Sequence, residues 1–124
     1  MSKESNDIFC PLQEVVDTLS HKWSLQIIYH IGKHNIIRYV DLQNKLRYIS
    51  PKTFCDTLRK LENENIINKK IFNVIPQRVE YSLAKDGIPL YPIVLNLLEW
   101  STQRDNSKIK KCVCYVENEY LKSS

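Results

Sequence analysis

Glycine is nearly missing from this sequence, with 2 residues in 124. That scarcity excludes glycine-rich phosphate loops and the dinucleotide-binding fingerprint, which need backbone positions that side chains do not tolerate. Long apolar runs are missing as well. The longest fall far short of the ~20 residues that cross a bilayer, and the leading "MSKESNDIF" has no hydrophobic signal segment. The expectation is a cytoplasmic protein with no membrane partner. Paired carboxylates, nucleophile–base sets and metal triads are also lacking at usable spacing, so no enzyme is expected. His21, His30 and His34 show no catalytic spacing. The four cysteines, Cys10, Cys55, Cys112 and Cys114, include a "CVC" too tight to argue a zinc site, and the other Cys and His residues show no metal-motif spacing. Free thiols are expected, with no metal and no cofactor.

What remains is an ordinary folded composition. Apolar residues make up 43% of the chain, enough for one domain with a modest core that is marginal if its terminal helices lack partners. The net charge of +4, from 18 Lys and Arg against 14 Asp and Glu, is compatible with DNA without demanding it. Its distribution says more. Lys33, Arg38, Lys45 and Arg47 face a single acid, Asp41, across residues 33–47, and Lys69, Lys70 and Arg78 face none across 66–79. The first 20 residues are net negative.

Periodicity predicts the elements. "CPLQEVVDTLS" reads as a first helix with Pro11 in its first turn and Leu12, Val15, Val16 and Leu19 on one face. "HKWSLQIIYHIG" reads as a second, with Trp23, Ile27, Ile28 and Ile31 inward and Gly32 as the stop. "NIIRYVDLQNKL" holds a short third helix buried through Tyr39, Leu42 and Leu46. The fourth, residues 51–64, opens on Ser50-Pro51, a side-chain cap followed by a residue with no N–H to lose. Phe54, Leu58 and Leu61 mark its buried side and Asn65 its left-handed stop, which leaves Lys52, Thr53, Asp56, Thr57 and Lys60 for the free side. The period then becomes two. "IINKKIF" and "QRVEYSL" read as strands joined by "NVIP", with Val79, Tyr81 and Leu83 inward. A long final helix follows from Lys85 to about Gln103. Ile88, Tyr91, Val94, Leu95, Leu98 and Trp100 line it, and Pro92 argues for a late start or a kink.

The expected fold is mainly α with a two-stranded β-hairpin: a winged helix-turn-helix flanked by N- and C-terminal helices that form a dimer contact. Residues 1–9 are expected as a flexible N-terminus, 10–103 as the DNA-binding domain with its dimerisation helices, and 104–124 as an extension of unassigned structure. A major groove accepts one helix, whose free face meets base edges while neighbouring elements hold phosphates.

Five short motifs carry a resemblance. "CP" at 10–11, "KW" at 22–23, "ISPKT" at 49–53, "LRKLE" at 58–62 and "PQRVEYSL" at 76–83 resemble the HxlR-type winged-helix transcriptional regulators, relatives of the MarR type, from about Cys10 to Trp100. The resemblance implies a homodimer on operator DNA. The first and last helices form the dimer contact, the fourth helix enters the major groove, and a wing at 71–78 meets the backbone or minor groove. Two positions depart from the family pattern: Ser20 stands where Gly is usual before "HKW", and Ala84 replaces a hydroxyl residue that would cap the last helix.

The DNA-binding candidates are Lys52, Thr53, Asp56, Thr57, Arg59 and Lys60 on the reading helix, Asn73 and Arg78 on the wing, and Lys22 and Lys45 beside them. Three of them have a plainer alternative. Arg59 can pair with Asp56 or Glu62, Arg78 with Glu80, and Lys22 is equally an exposed surface lysine. Leu12, Val15, Val16, Leu19, Val94, Leu95 and Leu98 are the dimer candidates. Cys10 precedes a helix whose free N–H groups and dipole favour a negative sulfur, and the resemblance adds redox sensing as one reading of it; plain packing is the alternative. A small-molecule effector is compatible with this reading, and no residue pattern specifies one. The rival from another class is a winged-helix protein-interaction module, to which Asp56, Glu62 and Glu64 lend support because acids repel phosphates.

Overall fold

A computed structural model of the chain describes residues 10–104. The expected flexible N-terminus, 1–9, and all but Arg104 of the expected 104–124 extension, "IKKCVCYVENEYL" included, lie outside the described residues. Five helices and three strands follow in the order α1 (Pro11–Leu19), α2 (Ser24–His34), β1 (Ile36–Arg38), α3 (Tyr39–Lys45), α4 (Pro51–Asn63), β2 (Ile67–Phe72), β3 (Arg78–Leu83) and α5 (Leu90–Arg104). The architecture is mainly helical with one small antiparallel sheet, as a winged helix-turn-helix requires.

The sheet has three strands rather than the expected two, in the order β1-β3-β2. The expectation for "NIIRYVDLQNKL" includes a short helix and no strand. Instead Ile36, Ile37 and Arg38 pair with Ser82, Tyr81 and Glu80. The β-branched pair suits an extended backbone, and the alternation buries Ile37 while leaving Ile36 and Arg38 outside. β2 and β3 form the wing ladder from Ile67↔Leu83 to Phe72↔Arg78.

α2 does not stop at Gly32. It continues to His34, and Asn35 ends it with a positive φ of 64°, a conformation asparagine tolerates better than most residues. Gly32 instead makes room for a neighbour. A Cβ there would collide with the Tyr91 ring, so glycine lets α5 close onto α2. The expected left-handed stop at Asn65 is present, with φ 65°. Asn65 N–H bonds Glu62 O at 3.1 Å and Ile66 N–H bonds Leu61 O at 3.0 Å, the double closure of a Schellman motif. The Ile66 carbonyl then accepts from Ala84 N–H at 2.8 Å, and Gly87 approaches the same carbonyl too closely for any side chain.

Ala84 brings no hydroxyl to the last helix. Its buried backbone carbonyl instead accepts from Gly87 and Ile88 N–H, forming a turn over residues 84–89. This delays α5 to Leu90, so Pro92 falls in its first turn, where a missing N–H leaves no gap. Ile88 lies exposed in that turn rather than lining the helix. At the other departure Ser20 adopts an ordinary right-handed conformation, φ −75° and ψ −15°, which needs no glycine.

The core gathers Ile27, Ile28 and Ile31 from α2, Leu42 and Leu46 from α3, Phe54, Leu58 and Leu61 from α4, and Ile67 and Tyr81 from the sheet. Each of the three α4 side chains contributes about 1.5–3 kcal/mol by leaving water, so the back of α4 is fixed firmly. Among the described residues no helix is long and apolar enough to cross a membrane.

Candidate nucleic-acid interface

α4 begins at a well-formed cap. Ser50 Oγ accepts from Thr53 N–H at 3.3 Å and donates to Thr53 Oγ1 at 2.9 Å, with Pro51 in the first turn. These bonds fix the helix start and leave Thr53 exposed. Lys52, Asp56, Arg59 and Asn63 recur at four, three and four residues along the same outward face. Asn63 was not among the sequence candidates, although the helical period continued past Arg59 would have found it.

Asp56 holds this face together. Its carboxylate accepts from Lys52 Nζ at 2.9 Å and from Arg59 Nη1 at 3.3 Å. The Lys52 hydrogen bond, with the Arg59 charge adding to it, holds the Asp56 carboxyl below its usual range. The acid is thus balanced within the helix by two cations. Lys52 remains 85% exposed and Arg59 67%, and surface pairs of this kind contribute little to stability.

Two expected readers are placed elsewhere. Thr57 does not lie on the free face: it is fully buried, and its hydroxyl donates to the Thr53 carbonyl at 2.8 Å. Four residues beyond Thr53, the helix has already turned position 57 toward the core. Lys60 is only 26% exposed and donates to Glu64 at 2.8 Å, on the side where α1 packs. The Glu64 carboxylate also accepts from Thr18 Oγ1 of α1 at 2.6 Å.

The neighbouring elements supply cations at several heights. Lys22 lies over the Trp23 ring at 4.9 Å, and Trp23 meets Tyr48 edge-on at 5.3 Å. This stack sets Lys22 beside the turn between α3 and α4, where Arg47 and Tyr48 are exposed. Neither Arg47 nor Tyr48 was a candidate, because a short turn carries no periodicity. Lys45 lies apart, lining a cleft with His34, Arg38, Asp41 and Glu80. On the wing, Arg78 approaches Glu80 at 3.3 Å and stacks on Phe72 at 4.4 Å, with Lys70 over the same ring at 5.0 Å. Asn73 is exposed just past the last rung.

Behind α4, Cys55 is half-buried and within 3.3 Å of the Tyr39 hydroxyl. That hydrogen bond, together with burial, raises the Tyr39 phenol to about 12. Cys55 is therefore part of the α3–α4 packing. Among the described residues no group of three or more His, Cys, Asp or Glu side chains is arranged to hold a metal.

The apolar surfaces also differ from expectation. α1 buries no residue, and Leu12, Val15 and Val16 stand exposed, while Leu19 packs on the core. On α5, Val94 is buried in the core and Leu95 and Leu98 lean on it. The exposed residues there are Ile93, Leu97 and Trp100, spaced four and three apart. A groove of 390 Å³ runs between α2 and α5, lined by Leu25, Tyr29, Leu97 and Trp100 among others.

Residues 18–108 match the family model of the HxlR-like helix-turn-helix. An uncharacterised HTH-type transcriptional regulator of Synechocystis sp. is 40% identical over 69% of this chain and 63% of its own. A solved MarR-family protein of Porphyromonas gingivalis is 33% identical, covers 82% of this chain and 95% of its own, and superposes with a TM-score of 0.71. The redox regulator HypR, solved in its oxidised form, is 30% identical over 76% of this chain and 96% of its own, with a TM-score of 0.70. The chain belongs to the HxlR-like helix-turn-helix family and is a sequence-specific DNA-binding transcriptional regulator, not an enzyme.

Proposed function

We propose that this regulator binds its operator as a homodimer, with α4 of each copy in a major groove. The carrying observation is the division of α4. Its back is sealed by Phe54, Leu58 and Leu61, while Lys52, Thr53, Asp56, Arg59 and Asn63 face outward. Thr53 offers a hydroxyl and a methyl to base edges, and Lys52 and Arg59 reach guanine acceptors or phosphates. Lys22, Arg47 and the wing cations Lys70 and Arg78 hold the flanking backbones.

The dimer reading rests on uncovered apolar surface on the first and last helices. Among the described residues nothing covers the stripe Leu12, Val15 and Val16 on α1 or the face Ile93, Leu97 and Trp100 on α5. A two-fold contact that packs these helices against their copies covers both at once, and it sets the reading helices one turn apart, about 34–36 Å. Cys10 stands exposed at the start of α1, where an adduct would bear on this contact. HypR, solved in oxidised and reduced forms, lends support to a redox role for Cys10 here.

Selection of bound sites from random duplexes tests the whole reading, combined with sedimentation of the complex. The expected result is a two-fold symmetric site bound by two copies, with affinity falling steeply as salt rises. Monomeric protein with no preferred duplex would overturn it.

A further inference from the structure

The tip of the wing is apolar where charge would serve a phosphate. Beyond the last rung, Phe72↔Arg78, the chain runs "NVIPQ" over residues 73–77 without one charged side chain. Ile75 is 101% exposed and Val74 51%. Asn73, Pro76 and Gln77 supply the turn and polar residues of this loop, while among the described residues no element covers Ile75. The base of the tip is firm. Val74 N–H closes onto Phe72 O at 2.9 Å, and Phe72 lies under both Lys70 and Arg78. The cations thus sit on the stem, and the uncharged tip projects past them.

Resting on the operator-binding reading above, we propose that Ile75 enters the minor groove beside each half-site and selects against G·C pairs there. With the stem cations on the two phosphate strands, the tip between them faces the groove floor. At A·T pairs that floor carries only the acceptors of adenine N3 and thymine O2, whereas a G·C pair adds the guanine 2-amino donor. An isoleucine side chain offers that donor no acceptor and strips its water, which is unfavourable. A·T-rich minor grooves are also narrower and more negative, which draws Lys70 and Arg78 to the walls. Apolar side chains at minor-groove steps are an established means of such contact.

Inosine isolates the effect, because an I·C pair lacks the 2-amino group and leaves the major-groove face of the pair unchanged. The selected operator is made with G·C or I·C at each flanking position and bound by wild type and by Ile75→Asn, whose amide accepts from guanine. Since Ile75 is wholly exposed, the variant keeps its fold, which thermal unfolding verifies. The expected result is that wild type binds the I·C duplex roughly fivefold or more tightly at one symmetric pair of flanking positions, and that Ile75→Asn shows no such gain. Equal wild-type affinities at every flanking position, or the same gain in Ile75→Asn, would overturn the inference while operator binding stands. A wild type that binds no operator would instead remove the reading on which the inference rests.

Discussion

Thr18 of α1 donates a 2.6 Å hydrogen bond to Glu64, the residue that closes α4. Glu64 accepts at its other oxygen from Lys60 at 2.8 Å. A helix with no buried residue is thereby tied to the end of the reading helix through one carboxylate. Leu19 adds an apolar contact with the core, but a single apolar side chain fixes position better than angle.

The angle between α1 and α4 matters because the proposed dimer sets half-site spacing through it. Thr18→Val keeps the side-chain volume and removes the donor. The expected outcome is an intact dimer whose affinity for the cognate spacing falls by about 0.5–1.5 kcal/mol, while operators longer or shorter by one base pair lose much less. Unchanged discrimination among the three spacings in Thr18→Val would show that α1 is oriented without this bond.

The same carboxylate carries an acid dependence. The Lys60 hydrogen bond, and after it the Thr18 hydrogen bond, hold the Glu64 carboxyl below its usual range, against the opposing effect of burial. A folded-state value below the unfolded one means the stabilisation is fully present above the unfolded value and is lost as pH falls through the folded one. Wild type should therefore lose stability relative to Glu64→Gln below the ordinary carboxylate range of about 4–4.5. Asp56 is also shifted down, but it is retained in both proteins. Chemical denaturation of the pair across that range measures the difference, and parallel curves would remove Glu64 as the source.

Thr53 and Thr57 let the proposed reading role be tested apart from packing. Thr53→Ala should reduce preference for the cognate operator over random duplex by roughly 1–3 kcal/mol. Thr57→Ala should leave that preference alone and instead cost roughly 1–3 kcal/mol of folding stability, through the lost methyl and the hydroxyl bonded to Thr53 O. Lys52→Ala should weaken all duplexes alike and lower the salt slope by about 1, whereas Lys60→Ala, tied to Glu64, should not. Competition binding and denaturation on the same preparations separate these outcomes.

Gly32 tests how α5 is seated. A methyl group there meets the Tyr91 ring, so Gly32→Ala forces the ring or the helix outward at about 1–3 kcal/mol. A gain in stability, as expected for alanine in a helix with room to spare, would contradict the close approach of α5 to α2.

Local signals make most of the helices legible in the sequence. The Ser50-Pro51 start, the Asn65 stop and the Phe54, Leu58, Leu61 spacing all depend on neighbours in the chain, and all appear as read. The departures depend on partners distant in sequence. Ile36–Arg38 is a strand because β3 offers an edge, and the glycine at 32 serves the approach of Tyr91 from α5 rather than a helix stop. Thr57 lies inside rather than outside because a helix face has soft borders, and packing decides which side of α4 is covered by α2 and β2. For the same reason Val94, a dimer candidate by its spacing, sits in the core: the apolar stripe of α5 is wide, and the sequence does not say which part faces inward.

Cys10 links the proposed dimer contact to its proposed redox control. Its thiol is exposed at the N-terminal end of α1, a helix tied to the body through Thr18 and Leu19. Exchange with glutathione disulfide would join Cys10 to one glutathione and release the other as thiolate, placing a charged tripeptide at the end of the Leu12, Val15, Val16 stripe. The proposed two-fold contact would have to shift to admit it, and a shift in α1 reaches α4 through Glu64. Operator affinity of the wild type should therefore fall in oxidised glutathione and return in reduced glutathione, while Cys10→Ser responds to neither. Sedimentation should find dimers throughout, because the α5 face of Ile93, Leu97 and Trp100 is distant in sequence from the adduct and keeps its own contact. A wild type and a Cys10→Ser variant that respond alike would assign Cys10 to packing, and a response confined to a Cys55→Ser-sensitive step would move the sensing thiol beneath α4.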